Sequence, residues 1–94
     1  MQYVMLGTIR SHLTKDERLA AFGRRAEWKY PVGVKVVGEW WRASAPQIVT
    51  VIECEQYDPI LAINAEWSDF MELQFSPCTT PDAGLRAAQK TVAK

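Results

Sequence analysis

Between Gln2 and Cys78 the chain presents, in order, the patterns of a strand, a helix, two strands, a helix and a strand, and every strand but the last is apolar on both faces. A strand covered by helices on one side only should alternate apolar with polar residues, so two-sided strands need a second cover. A chain of 94 residues has little material left to supply one, because a domain of this size is already modest in the area it buries. The expected cover is a second copy of the chain.

Residues 2–9 read as a strand with Tyr3, Met5 and Ile9 on one face and Val4 and Leu6 on the other. Thr14 and Glu17 have the spacing of a capping box and predict a helix start. Leu19, Phe22 and Ala26, three and four apart, form its expected inward stripe, with Lys15, Asp16, Arg18, Arg24 and Arg25 on the remaining surface. Pro31 and Gly33 end the connection. The second strand, 34–43, is expected to place Val34, Val36 and Trp40 on one face and Val37 and Trp41 on the other, with Gly38 marking a bulge or a close approach. A tight turn centred on Ser44 and Ala45 makes the third strand, 47–55, an antiparallel hairpin partner and sets Glu39 near Thr50. Asp58 and Pro59 read as cap and first residue of a second helix whose inward residues are Ile60, Ile63 and Trp67. In the last strand, 70–76, Met71, Leu73 and Phe75 alternate with Glu72 and Gln74. Residues 79–94 carry a weak helical stripe of Leu85, Ala88 and Val92, consistent with a frayed tail or with a helix that docks on a neighbour.

Two split strand-helix-strand halves joined by a hairpin specify an α+β fold, the ferredoxin-like βαββαβ arrangement. Its four-stranded antiparallel sheet carries both helices on one face and leaves the other bare. The domain is read as residues 1–78 and the C-terminal tail as 79–94. The run Ile48-Val49-Thr50-Val51-Ile52-Glu53-Cys54, followed by Asp58-Pro59, Trp67-Ser68-Asp69-Phe70 and Phe75-Ser76-Pro77, resembles an uncharacterised bacterial and archaeal family of unknown function. Pro31, Gly33 and Trp40 share that likeness, which spans residues 2–78. The resemblance implies the dimeric α/β barrel superfamily, in which two such sheets pack face to face. Cofactor-free monooxygenases, polyketide cyclases, lactone isomerases and heme-handling enzymes share that fold with proteins of no known activity, so fold does not select function. The first helix and Trp41 depart from the family's usual pattern, which leaves room for a specialised role.

Eleven Lys and Arg balance eleven Asp and Glu, so no net positive field draws in phosphate backbones and nucleic acid is not an expected partner. The longest apolar run, 48–52, is broken by Thr50, and no charged start precedes a long apolar stretch. No membrane partner is expected, and the location is read as cytoplasmic. Cys54 and Cys78 lack CxxC spacing and read as small hydrophobes in a reducing setting. With neither a glycine-rich phosphate loop nor a nucleophile elbow, no cofactor is expected.

His12, the single histidine, stands in the turn after the first strand beside Arg10 and Ser11. Without a neighbouring carboxylate or second ligand it reads as an exposed loop residue before a general base or metal ligand, and no metal site is expected. Trp40 and Trp41 are adjacent on a strand and must point to opposite faces, one into the helix-side core and one to the dimer seam or a pocket. Glu39 and Glu53 are expected to share the face of Trp41, too far apart for a carboxylate dyad, and to pair with cations such as Arg42 or Lys35.

These expectations combine into a homodimer through the open sheet face that holds a small apolar or aromatic molecule in a sheet cavity or serves as an accessory protein. Trp40, Trp41, Tyr3 and His12 are the candidate ligand-binding residues. The enzymatic alternative is cofactor-independent monooxygenase, cyclase or isomerase chemistry on an aromatic or polyketide-like substrate. Trp41 or Trp40 would stack that substrate, and Tyr3 or His12 would handle a proton. A third reading is a structural subunit whose tail helix binds a larger protein partner.

Overall fold

The computed structural model describes residues 1–93. Its elements are β1 (Gln2–Ile9), α1 (Lys15–Glu27), β2 (Lys35–Trp41), β3 (Ile48–Glu53), α2 (Asp58–Trp67), β4 (Met71–Cys78) and α3 (Pro81–Val92). The four strands form one antiparallel sheet in the order β2-β3-β1-β4. The result is the α+β ferredoxin-like fold with a third helix appended.

Local chemistry explains where the helices begin. The Thr14 hydroxyl accepts from the Glu17 N–H at 3.1 Å, and the Thr14 N–H donates to the Glu17 carboxylate at 2.9 Å, completing the expected box. At α2 the expected cap is corrected: Tyr57 occupies the N-cap with no side-chain bond, and Asp58 lies one position inside, before Pro59. Proline in the first turn needs no partner for its missing N–H, so the helix starts without an Asp cap. Thr80 caps α3 by accepting from the Ala83 N–H, with Pro81 in the first turn. The last strand extends to Cys78 and takes in Pro77. That residue is tolerated because β4 is an edge strand, where one N–H of each pair faces outward.

The core lies between the sheet and the first two helices. Met5, Ile48, Ile52 and Met71 point to that side and meet Ile60, Ile63 and Trp67 of α2, with Ala21 of α1 and Phe70. Each large side chain buried this way contributes roughly 1.5–3 kcal/mol relative to exposure. The opposite face carries Val4, Leu6, Val49 and Val51, all partly exposed, with Glu72 and Gln74 on the polar side of β4. Cys54 is buried and Cys78 partly so; both thiols are free.

Three expectations about which side chains share a face are corrected. The β2–β3 register runs Lys35↔Glu53 and Val36↔Ile52, then skips Val37 and resumes at Gly38↔Val51, Glu39↔Thr50 and Trp41↔Ile48. The bulge at Val37 changes the parity of the strand, so Val36 shares the helix side with Glu39 and Trp41 instead of the face of Trp40. Glu53 pairs with Lys35 on the open face and so does not share a face with Trp41. In α1, Leu19 is 56% exposed and Ala26 is exposed as well, while Arg18, Ala21, Phe22 and Arg25 face inward. The reason is a carboxylate on β2, described below, that needs a cation from this helix.

α3 follows β4 and buries no residue; Leu85 and Val92 are exposed.

Candidate functional site

The bulge turns Glu39 and Trp41 towards α1, and the hairpin register puts Thr50 opposite Glu39. One Glu39 oxygen, Oε1, accepts from Arg25 at 2.6 Å, from the Tyr30 hydroxyl at 2.8 Å and from the Thr50 hydroxyl at 2.8 Å. The other, Oε2, accepts from the Trp41 indole N–H at 3.0 Å. Arg25 also donates to the Tyr30 hydroxyl at 2.8 Å. Only 8% of the Arg25 side chain and 24% of the Glu39 side chain remain exposed, so this pair is shielded from solvent far more than a surface ion pair. For Glu39 the cation is thus Arg25 in place of Arg42 or Lys35, while Lys35 stands opposite Glu53.

Burial pushes the Glu39 carboxyl up, but the donors from Trp41, Thr50 and Tyr30 and the Arg25 charge outweigh it and hold the group below its usual value. Burial pushes the Tyr30 hydroxyl up, and the neighbouring Glu39 charge adds to that against the Arg25 cation. The carboxylate is thus ionised and saturated with donors, while the phenol stays protonated. Neither group is arranged to pass a proton on; together they fix side chains in place.

Among the described residues Arg25 Nη1 has no hydrogen-bond partner. Its guanidinium lies 4.9, 5.3 and 5.2 Å from the ring centroids of Trp28, Tyr30 and Trp67, so aromatic faces take the place of an oxygen. The next residue, Arg24, forms a 3.0 Å pair with Asp69 at the surface.

Trp41 is the part of this cluster that reaches solvent. Its ring packs on Phe22 with centroids 5.7 Å apart, its N–H is held by Glu39, and yet the residue is 50% exposed. Phe22 and Trp41 together wall two adjoining clefts. One, of about 430 Å³, lies over Arg25, Trp28, Tyr30 and Glu39. The other, of about 440 Å³, is bounded by Ile9, Arg10, Ser11, Arg18, Arg42 and Gln47.

The remaining candidate residues sit elsewhere. Trp40 lies on the open sheet face, its ring lying over Gly38 so closely that a Cβ there would stand 2.5 Å away. Tyr3 pairs with Ile52 and Pro77 at the other end of the sheet and packs against the core. His12 is exposed and borders a separate cleft with Glu17, Arg24 and Asp69. Neither cleft beside Trp41 includes Tyr3, His12 or Trp40. Arg25 and Tyr30 were not among the expected site residues. The available signal was that Arg25 shares a helix face with Phe22, three positions away.

Among the described residues, no group of three or more His, Cys, Asp or Glu is placed to hold a metal ion. No helix among them is long and apolar enough to cross a membrane. A family model described as Domain of unknown function (DUF3303) matches residues 1–92. No curated protein matches the chain.

Proposed function

The chain belongs to the DUF3303 family, and from a membership that carries no assigned chemistry we propose that it is a small-molecule binding protein. Its site is the pair of adjoining clefts that Phe22 and Trp41 wall between α1 and the β2–β3 hairpin, and its ligand is an apolar or aromatic molecule. The observation that carries this reading is Trp41, which is fixed at its N–H by Glu39 and on its ring by Phe22 while half of it stays open to solvent. A ring already held in one orientation loses little conformational freedom when a ligand stacks on it, which favours binding. A binding role is favoured over catalysis because the nearest carboxylate is saturated with donors and the nearest phenol is held protonated.

The test is tryptophan fluorescence titrated with small phenols. Saturable quenching is expected in the wild type, weakened in Trp41→Phe and retained in Trp40→Phe, whose ring lies on the other face. Linear or absent quenching across the set would remove this reading and leave the structural-subunit alternative in front.

The open face supports a second part of the proposal, a homodimer through that face. Val4, Leu6, Val49 and Val51 lie there with Trp40, which is 59% exposed. A contiguous apolar patch of this kind on a small domain marks an interaction surface. Light scattering should return twice the chain mass at micromolar concentration, and a monomer would defeat the dimer without touching the cleft.

A further inference from the structure

Three arginines meet at the larger cleft with no acid among its lining residues. Arg10, Arg18 and Arg42 border it together with the aromatic wall of Phe22 and Trp41. The chain as a whole has equal numbers of acids and bases, eleven of each, so this local excess is a matter of placement. Arg10 and Arg18 are tethered by backbone carbonyls, and the exposed Arg42 makes a longer contact with a hydroxyl. Arg10 Nε donates to the Ser68 carbonyl at 2.8 Å, Arg18 Nη1 to the Leu13 carbonyl at 2.9 Å, and Arg42 Nη2 to the Ser44 hydroxyl at 3.4 Å. Among the described residues none of the three pairs with a carboxylate, whereas Arg24 and Arg25 on the same helix as Arg18 both do. Tethering one nitrogen orients the planar group and leaves the other N–H donors free, the arrangement that suits a bidentate oxyanion.

The cleft adds neutral donors of its own. The Gln47 side-chain oxygen accepts from the Ile9 N–H at 3.0 Å, which leaves its amide N–H₂ to donate, and the Ser11 hydroxyl lies on the same lining. A volume of about 440 Å³ falls within the range of single small-molecule sites, roughly 300–1,000 Å³. Like charges gathered in a cleft focus a positive potential into it, and an anion relieves their mutual repulsion.

We infer that the ligand is an organic acid: a flat apolar or aromatic body lying on Trp41 and Phe22, with its carboxylate turned to Arg10, Arg18 and Arg42. The inference rests on the binding reading of this cleft and adds the charge of what it binds.

A matched pair of probes separates the two, namely naphthalene-2-carboxylate and the neutral naphthalene-2-methanol, titrated calorimetrically into the full chain. The carboxylate should bind roughly tenfold tighter than the alcohol at low salt, and added salt should narrow the difference. Arg18→Gln and Arg42→Gln should each lower carboxylate affinity while leaving alcohol affinity unchanged, and Arg86→Gln on α3 should alter neither. Arg42 is exposed and among the described residues its side chain bonds only to Ser44, so that variant keeps the test decisive if Arg18→Gln does not fold. Equal affinity for the two probes overturns the anion inference and leaves the binding reading standing. Unchanged preference in both arginine variants overturns it too, by placing the anion elsewhere. Binding of neither probe overturns both readings.

Discussion

α2 meets the sheet with Ile60, Ile63 and Trp67, all fully buried, whereas α1 meets the same face of the sheet with Arg18, Ala21, Phe22 and Arg25. The first helix of the chain therefore exposes Leu19 and turns a guanidinium inward. Apolar area decides the orientation of α2. In α1 a carboxylate on β2 decides it, because a half-buried Glu39 without a cation would cost more than leaving one leucine in water. The lesson is that helix periodicity identifies a buried face only where the facing strand is itself apolar.

The largest effect expected from this contrast is at the helix that follows the apolar rule. Trp67→Ala should destabilise by about 3–5 kcal/mol, since it empties a fully buried site. Trp28→Ala, at the partly exposed C-cap of α1, should cost clearly less. Denaturant midpoints that shift equally and slightly for both variants would show that Trp67 is not the anchor of α2.

A smaller effect separates two neighbouring arginines. Arg25→Met should cost about 2–3 kcal/mol, because it strands the Glu39 carboxylate among its remaining donors. Arg24→Met loses an exposed pair with Asp69, a bond to the Glu66 carbonyl and a cation–π contact on Trp67, but strands no shielded charge, and should cost about 1 kcal/mol. Equal costs in thermal or chemical unfolding would mean that Arg25 contributes no more than a surface charge, and the account of α1 would fail.

The smallest effect is in the acid limb of stability. Glu39 is held below its ordinary value of 4.5 in the folded chain. Its pairing therefore contributes fully above that pH, and is lost as pH falls and the unfolded chain takes up the proton first. Glu39→Gln should be less stable near neutrality and should flatten the fall below about pH 4.5. Asp69, also lowered, chiefly by its hydrogen bond from Arg24, remains and keeps part of the slope. An acid limb unchanged in Glu39→Gln would show that the carboxylate is not preferentially ionised in the native state.

Features set by neighbours in the chain were legible beforehand. The capping box at Thr14 and Glu17, the stripe of α2, the alternation in β4 and the Glu39–Thr50 pairing all follow from short-range spacing and a tight turn. The inward face of α1 was legible only at Phe22, because the rest of it depends on a residue of β2 that periodicity within the helix does not report. Gly38 flagged the bulge, but the unpaired residue is Val37, and the reversal of parity that follows leaves no mark in composition. The candidate site was half legible for the same reason. Trp41 stood out as one of an adjacent aromatic pair, while Arg25, Tyr30 and Glu39 lie apart in sequence and meet only in the folded chain.

Val37 also gives β2 slack. The strand runs in one phase up to Val36 and in the opposite phase from Gly38, and the extra residue between them takes up the difference. Deleting Val37 alone would leave Lys35, Val36, Gly38 and Glu39 each opposite its present partner, so a chain one residue shorter can keep the same inner and outer sets. A deletion at Trp40 instead would carry one side of the strand out of step, bringing either Lys35 into the core or Trp41 out of its wall. Length changes in this strand are therefore neutral at one position and disruptive at its neighbours.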